Sequence, residues 1–377
     1  MKVVLAIDSF KGSLTSVEAG EAVREGVLSV CPECQTEVIP IADGGEGVLS
    51  VLIDVMQGKK YTLMVHDPCM NPVQASYGIS TDGNTALIEM ASASGLPLIK
   101  EEQRNPMKTT SYGTGELIRN ALDRGCREFF IGIGGSATND AGTGMLQALG
   151  FQFLDKDGRC LGQGGEILEK IVSVDASRKH PGLAEARFIV ACDVKNPFCG
   201  PEGAAYVFAR QKGADDGMIA QLDKGMYLFA EVIQKETGKN IVHEPGSGAA
   251  GGMGGGLMAF LNAELRSGAD WLLSLCRFEE RISGAELMIT GEGRIDRQSL
   301  MGKIPGKVLQ MGQMHHIPVI ALAGCVEDEW LLIEAGFQSV YAAKPKAMPL
   351  EKAMERETAV QNLREAAVRA MLAYNGR

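Results

Sequence analysis

No apolar run in the 377-residue chain reaches the ~18 residues that a membrane-spanning helix needs. The apolar residues at the N-terminus meet Asp8 too soon for a secretory signal. Positive charge is in deficit: 37 Lys and Arg face 47 Asp and Glu, for a formal net charge of −10 and a pI near 5.2. A mean field of that sign repels phosphate polymers, so nucleic acid and anionic membranes are poor partners. Nine cysteines, an odd count in a long chain, argue against a disulfide framework and for a reducing cytoplasm. The five histidines (His66, His180, His243, His315 and His316) all lie outside the glycine-rich loops, which disfavours a Ser-His-Asp triad or a His-rich metal site. No G-x-x-x-x-G-K-[ST] occurs, so a P-loop NTPase is unsupported. The chain reads as a soluble cytoplasmic protein.

Glycine is what the chain has in excess. Its 47 glycines in 377 residues are about 12%, against a usual ~7%, while 14 prolines keep the sequence out of the low-complexity range. These glycines therefore belong at defined backbone positions. At about 150 residues per domain, the length suggests two domains.

Residues 3–8 form a short apolar run with the character of a buried strand. Thr15 and Glu18 then read as a capping box opening a helix to about residue 30. Strands over 37–43 and 60–65, with a helix over 46–56 between them, continue an alternation that implies a mostly parallel sheet. The last third repeats this pattern, from a strand at 287–290 to a terminal helix. In the middle, residues 73–79 and 85–90 flank Asp82-Gly83-Asn84, a hairpin signal, and 218–237 forms a long amphipathic helix.

Five apolar runs end in glycine mixed with acidic or small polar residues, at 8–13, 42–47, 132–140, 191–197 and 290–296. In open α/β sheets ligands collect at the carboxyl ends of strands, where glycine lets backbone amides approach an anion. Asp8, Asp43, Glu46, Asp140, Asp193, Glu292 and Asp296 sit in these loops. Lys11, Lys195, Arg294, Lys303 and Lys307 supply positive charge in or near them. Carboxylates for magnesium, amides and cations for phosphates, and one Asp for a hydroxyl proton are the parts of a phosphoryl-transfer site. Other readings stay open. Residues 132–137 match G-x-G-x-x-A, which would suit a nicotinamide oxidoreductase, although the polar run after it is wrong for a helix packed on a sheet. The same scaffold could serve a non-catalytic nucleotide- or anion-binding regulator. Residues 246–256, with seven glycines in eleven positions, read equally as a phosphate nest or as a hinge or close helix contact. Cys31-Pro32-Glu33-Cys34 is a lone C-x-x-C with no second pair.

Taken in order, residues 8–14, 42–47, 109–116, 131–140, 191–193, 246–256, 289–296 and Gly302-Lys303 resemble the bacterial class I glycerate kinases, over almost the whole chain. The resemblance implies an α/β fold of two domains: a Rossmann-like, doubly wound domain from both chain ends (1–70 plus 285–377) and an inserted α/β domain (71–284), with the active site in the cleft. It implies ATP and Mg2+ as cofactors, D-glycerate as substrate, and 2-phospho-D-glycerate and ADP as products; a homodimer stays open. Ile7, Ala141 and Arg297 depart from the usual family residues.

For catalysis the candidates are Asp193, Lys11, Asp43 and Arg294. Asp193 follows an apolar strand and precedes Lys195 and Asn196, so it suits a proton acceptor, with Asp43 as its rival. Substrate and phosphate contacts fall to Ser9, Gly44, Gly45, Gly134, Gly135, Ser136, Thr138, Asn139, Lys195, Gly291, Gly293 and Lys303. Glu292 and Asp296, four apart on an expected turn, are the metal candidates, with a helix cap as the alternative for Asp296.

Overall fold

The computed structural model describes residues 1–10, 12–41, 52–53 and 56–376. Buried apolar residues make β1 (Lys2–Ile7), and α1 (Ser16–Val30) starts at the expected capping box: Thr15 accepts the Glu18 amide while Glu18 accepts the Thr15 amide. After β2 (Gln35–Pro40) come β3 (Lys59–His66), β4 (Pro72–Ile79), β5 (Thr85–Glu89) and the one-turn α2 (Ala91–Ser94). Next are α3 (Tyr112–Asp123), β6 (Glu128–Gly132), α4 (Thr143–Ala148), β7 (Gln152–Leu154), β8 (Ser173–Asp175) and β9 (Arg187–Ala191). The chain continues with α5 (Ala204–Phe208), α6 (Asp216–Thr237), α7 (Met253–Leu261), β10 (Glu264–Arg266), α8 (Gly268–Leu275) and α9 (Phe278–Arg281). It closes with β11 (Leu287–Ile295), α10 (Ile304–His315), β12 (Val319–Val326), α11 (Glu329–Ala335), β13 (Ser339–Ala342), α12 (Leu350–Met354) and α13 (Arg356–Asn375).

These elements divide into two compact units: Met1–Val55 with Leu272–Arg377 (unit 1), and Met56–Trp271 (unit 2). Unit 1 holds a parallel five-stranded sheet in the order β13-β12-β11-β1-β2. Val3, Leu5 and Ile7 of β1 pack with Ala19, Val23 and Val27 of α1 and Leu363 and Ala367 of α13. On the other face Met288 and Val319 press so close to α10 that residue 312 has room only for glycine. Helices on both faces make the sheet doubly wound.

Unit 2 carries a six-stranded sheet ordered β10-β9-β6-β5-β4-β3. Its first four strands run parallel, and β4 and β3 are added antiparallel. The expected hairpin is β4–β5, closed by Ser80 and Thr85 with Gly83 at φ 74°. Stacked Phe129 and Phe188, 4.8 Å apart, anchor the core between β6 and β9.

Three expectations change. The strand at 60–65 does not continue the first parallel sheet; it is β3, antiparallel to β4 at the edge of the second. Its residues alternate between exposed and partly buried, as an edge strand does, whereas an inner parallel strand is apolar throughout. The third neighbour in unit 1 is instead β11, about 280 residues further along the chain than β1. The strand at 287–290 runs on to Ile295, so Gly291 and Gly293 lie in β11, with Gly291 paired to Leu322 of β12, rather than forming a loop. Cys31 and Cys34 are joined in one local disulfide at the end of α1, with Cα atoms 5.4 Å apart; this is an exception to the expected absence of disulfides. The expected helix at 46–56 falls largely outside the described residues.

Candidate active site

In a sheet of this order the chain path reverses between β1 and β11, and ligands bind outside the carboxyl ends of the strands at that switch point. A cavity of about 470 Å³ lies there, within the range of about 300–1,000 Å³ usual for small-molecule sites. Asp8 and Ser9 enter it from β1, and Glu292, Gly293, Arg294 and Asp296 from β11. Gly324 and Cys325 follow from β12, and Lys344 from the segment after β13; Lys303, just before α10, completes the charged rim. Phe10, Leu350, Ala353 and Met354 form an apolar wall.

Alternation along β11 puts Glu292 and Arg294 on one face of the strand, so the carboxylates converge from a strand end rather than from the expected turn. Burial pushes the Glu292 carboxyl up. The Ser299 hydroxyl, donating to Oε1 at 2.6 Å, and Lys303, 3.9 Å from Oε2, pull it back, while the charges of Asp8 and Asp296 push it up again. Negative charge is thus concentrated without full compensation. Among the described residues no three His, Cys, Asp or Glu side chains stand close enough to cage a bare metal ion.

Asp296 does cap a short helix: it accepts the Gln298 amide at 2.8 Å while Ser299 answers its own amide. Arg294, expected on an anionic ligand, reaches the carboxylates of Glu327 at 2.5 Å and Asp296 at 3.5 Å, with its side chain 61% exposed. Lys11, Asp43, Gly44 and Gly45 lie outside the described residues.

The glycine loop after β6 is built differently. Gly134 and Gly135 are exposed, but Ser136, Thr138, Asn139 and Asp140 are buried. The buried Asp140 accepts the amides of Ser111, Gly142 and Gly144 and the Ser111 hydroxyl. Lys212, only 2% exposed, donates to Ser136 Oγ at 2.8 Å and to the Thr138 carbonyl at 2.6 Å. Burial lowers the Lys212 pKa to about 7, against the opposing pull of Asp140. Thr138 and Asn139 therefore shape the loop from inside and present no side chain to solvent. No helix begins until Thr143, so the G-x-G-x-x-A match lacks the strand–turn–helix that dinucleotide binding requires.

Of the two readings of residues 246–256, close packing holds. A Cβ on Gly251 would stand 2.1 Å from the Thr138 carbonyl oxygen, and Gly251 also has φ 67°, so this position tolerates only glycine. Asp193, the expected proton acceptor, is exposed, and its Oδ1 accepts the Gly268 amide at the start of α8 at 2.7 Å. Lys195 is exposed, and Asn196 donates to the Glu202 carbonyl.

The glycerate kinase family model matches residues 3–375. A glycerate kinase of Haemophilus influenzae is 46% identical over 90% of this chain and 90% of its own. Glycerate 2-kinase of Escherichia coli K12 is 45% identical over 94% and 93%. The crystal structure of a Salmonella typhimurium LT2 protein described as glycerate kinase 2 superposes with a TM-score of 0.87 at 41% identity, covering 100% of this chain and 98% of that one. The chain belongs to the glycerate kinase family.

In this member of the glycerate kinase family, sequence reasoning missed two residues. Lys212 sits in Arg210-Gln211-Lys212, which reads as an exposed basic turn; only its aliphatic flanks, Ala209 and Ala214, hint at burial. Glu89 reads as the polar end of a strand, and nothing in its neighbours marks it. Among the described residues no helix is long and apolar enough to cross a membrane.

Proposed function

We propose that this protein transfers the γ-phosphoryl group of ATP to the 2-hydroxyl of D-glycerate, giving 2-phospho-D-glycerate and ADP. The observation that carries the reading is the unit 1 pocket, where carboxylates and lysines line the switch point of a parallel sheet, in a chain of this family. The apolar wall of Phe10, Leu350 and Met354 suits a purine ring. Lys303 and Lys344 offer ammonium groups to phosphate oxygens, and the Ser9 hydroxyl and the Gly293 backbone add contacts without charge. One or two of Asp8, Glu292 and Asp296 would hold magnesium, which leaves its other positions to phosphates and water; bound there, it would neutralise phosphate charge. Glu292 has to be ionised for that role, and Ser299 and Lys303 are the two groups that favour its charged form.

On the acceptor side, the exposed Gly134 and Gly135 offer backbone to the substrate, and Asp193 and Lys195 flank the next strand end. ATP and a small hydroxy acid as substrates place the enzyme in the cytoplasm. A coupled assay tests the reading. With D-glycerate and ATP, the account expects ADP release that depends on both substrates. Nucleotide binding without turnover would favour a regulator instead, and NADH consumption without added coupling enzymes would favour an oxidoreductase.

A further inference from the structure

Glu89 ends β5 at the carboxyl edge of the parallel strands of unit 2, paired with Gly132 of β6. Its carboxylate lies against that glycine: a Cβ at residue 132 would stand 2.5 Å from Oε2 and 2.7 Å from Oε1. Only glycine leaves the carboxylate its place. The half-buried carboxylate makes no hydrogen bond or ion pair with any described residue, and burial alone pushes its pKa up to about 7. An unpartnered, desolvated carboxylate is costly to keep, and such groups cluster where chemistry needs them. Beside it, Gly134 and Gly135 are exposed, Gly135 has φ 72°, and neither amide donates to a described residue. Asp193 differs, because one of its oxygens is already committed to the first turn of α8.

We propose that Glu89 accepts the proton of the substrate hydroxyl, with the substrate carboxylate held on the Gly134 and Gly135 amides. The assignment rests on the hydroxy-acid kinase reading above. In the transfer, the substrate O–H gives its proton to a Glu89 oxygen, and the electron pair of that O–H bond forms the new O–P bond. The bond from the γ-phosphorus to its bridging oxygen breaks, and ADP leaves with that pair. Glu89 then returns the proton to solvent. Residues 132–137 and the α2 segment carry no titratable side chain, and the charged or phenolic groups of the elements packed on β5 are engaged elsewhere: Tyr77 of β4 donates to Asn120, and on α3 Glu116 pairs with His66, Arg119 donates to the Ala148 carbonyl and Asp123 pairs with His180. A proton acceptor with a pKa near the working pH is effective in this role.

The test compares the parent protein, Glu89→Gln, Glu89→Asp and Asp193→Asn, reading kcat with D-glycerate, its pH profile, ATP affinity and the melting temperature. The parent should lose kcat as pH falls through about 7. Glu89→Gln should melt no lower than the parent, bind ATP equally, lose about 10²–10⁴-fold in kcat and lose that acid limb. Glu89→Asp should keep the limb and recover part of the rate. If Glu89→Gln stays within a few-fold of the parent, or slows while keeping the acid limb, the assignment is overturned, and a large loss in Asp193→Asn would move the role there. If the parent itself releases no ADP with D-glycerate, the glycerate reading fails and takes the assignment with it.

Discussion

The pocket of unit 1 and the loop cluster of unit 2 are written in similar sequence, glycines beside acidic residues at strand ends, yet they hold charge in opposite ways. In unit 1 the cations Arg294 and Lys303 are 61% and 40% exposed and lean on carboxylates at distances up to 3.9 Å. In unit 2 Lys212 is 2% exposed, and its ammonium group is bound to Ser136 and to the Thr138 carbonyl. Water screens the first set, so those groups can exchange partners for a ligand at little cost. The second set is desolvated, and Lys212 ties the Ser136 hydroxyl to the Thr138 carbonyl, so it fixes the shape of a loop. Among the cations, exposure more than residue type separates those free to meet a ligand from the one that holds the loop.

The largest effect should come from breaking the buried set. Lys212→Ala leaves Asp140 without its cation and Ser136 and Thr138 without their donor, a loss on the order of 3 kcal/mol in unfolding free energy. Chemical denaturation of the variant measures it, and a curve superimposable on the parent's would mean that the buried lysine holds nothing.

Glu89 sharpens the comparison through pH. Its folded pKa of about 7 lies above the ordinary value of 4.5, so its protonated form is favoured in the folded state. Stability is therefore full below pH ~4.5 and is lost as pH rises towards about 7, by up to about 3 kcal/mol. Glu89→Gln should match the parent at pH 4 and be more stable than it at pH 8. Equal melting temperatures at both pH values would remove the desolvated carboxylate from the account.

Within the unit 1 pocket, Asp296 separates a cap from a ligand-binding group. Asp296→Asn keeps the cap and should melt like the parent, yet lose roughly ten- to a hundredfold in kcat/KM; Asp296→Ala should lose the same activity and about 1 kcal/mol of stability besides. Full activity in the Asn variant would leave only the cap. The smallest change is expected of Arg294→Ala, whose exposed guanidinium is already shared between Glu327 and Asp296: a few-fold change in KM for ATP. A hundredfold loss there would show that the arginine leaves those carboxylates for the nucleotide.

Much of unit 1 could be read directly. β1 is a plain apolar run, Thr15 and Glu18 announce α1, and Asp8, Glu292 and Asp296 stand at strand ends where ligands collect. That the two chain ends share a domain came only from the family resemblance, and the pairing of β1 with β11 was not read at all, because no local pattern encodes a partner about 280 residues away. The sheet that β3 joins was equally hidden, since its alternation fixes a half-exposed strand and not its neighbour. The site residues that could not be read owe their character to burial. Lys212 and Glu89 are ordinary polar residues in the sequence, and only desolvation by residues distant in the chain makes them unusual. The glycines at 246–256 likewise disclose close packing only once the Thr138 carbonyl is seen against Gly251.

Phosphorus NMR of the product formed from ATP and D-glycerate tests the central claim most directly, because it reads the reaction and the position together. The account predicts ADP and 2-phospho-D-glycerate in equal amounts, with the γ-phosphate signal of ATP lost at the same rate. A 3-phospho product, or an unchanged ATP spectrum in the presence of magnesium and D-glycerate, would contradict it.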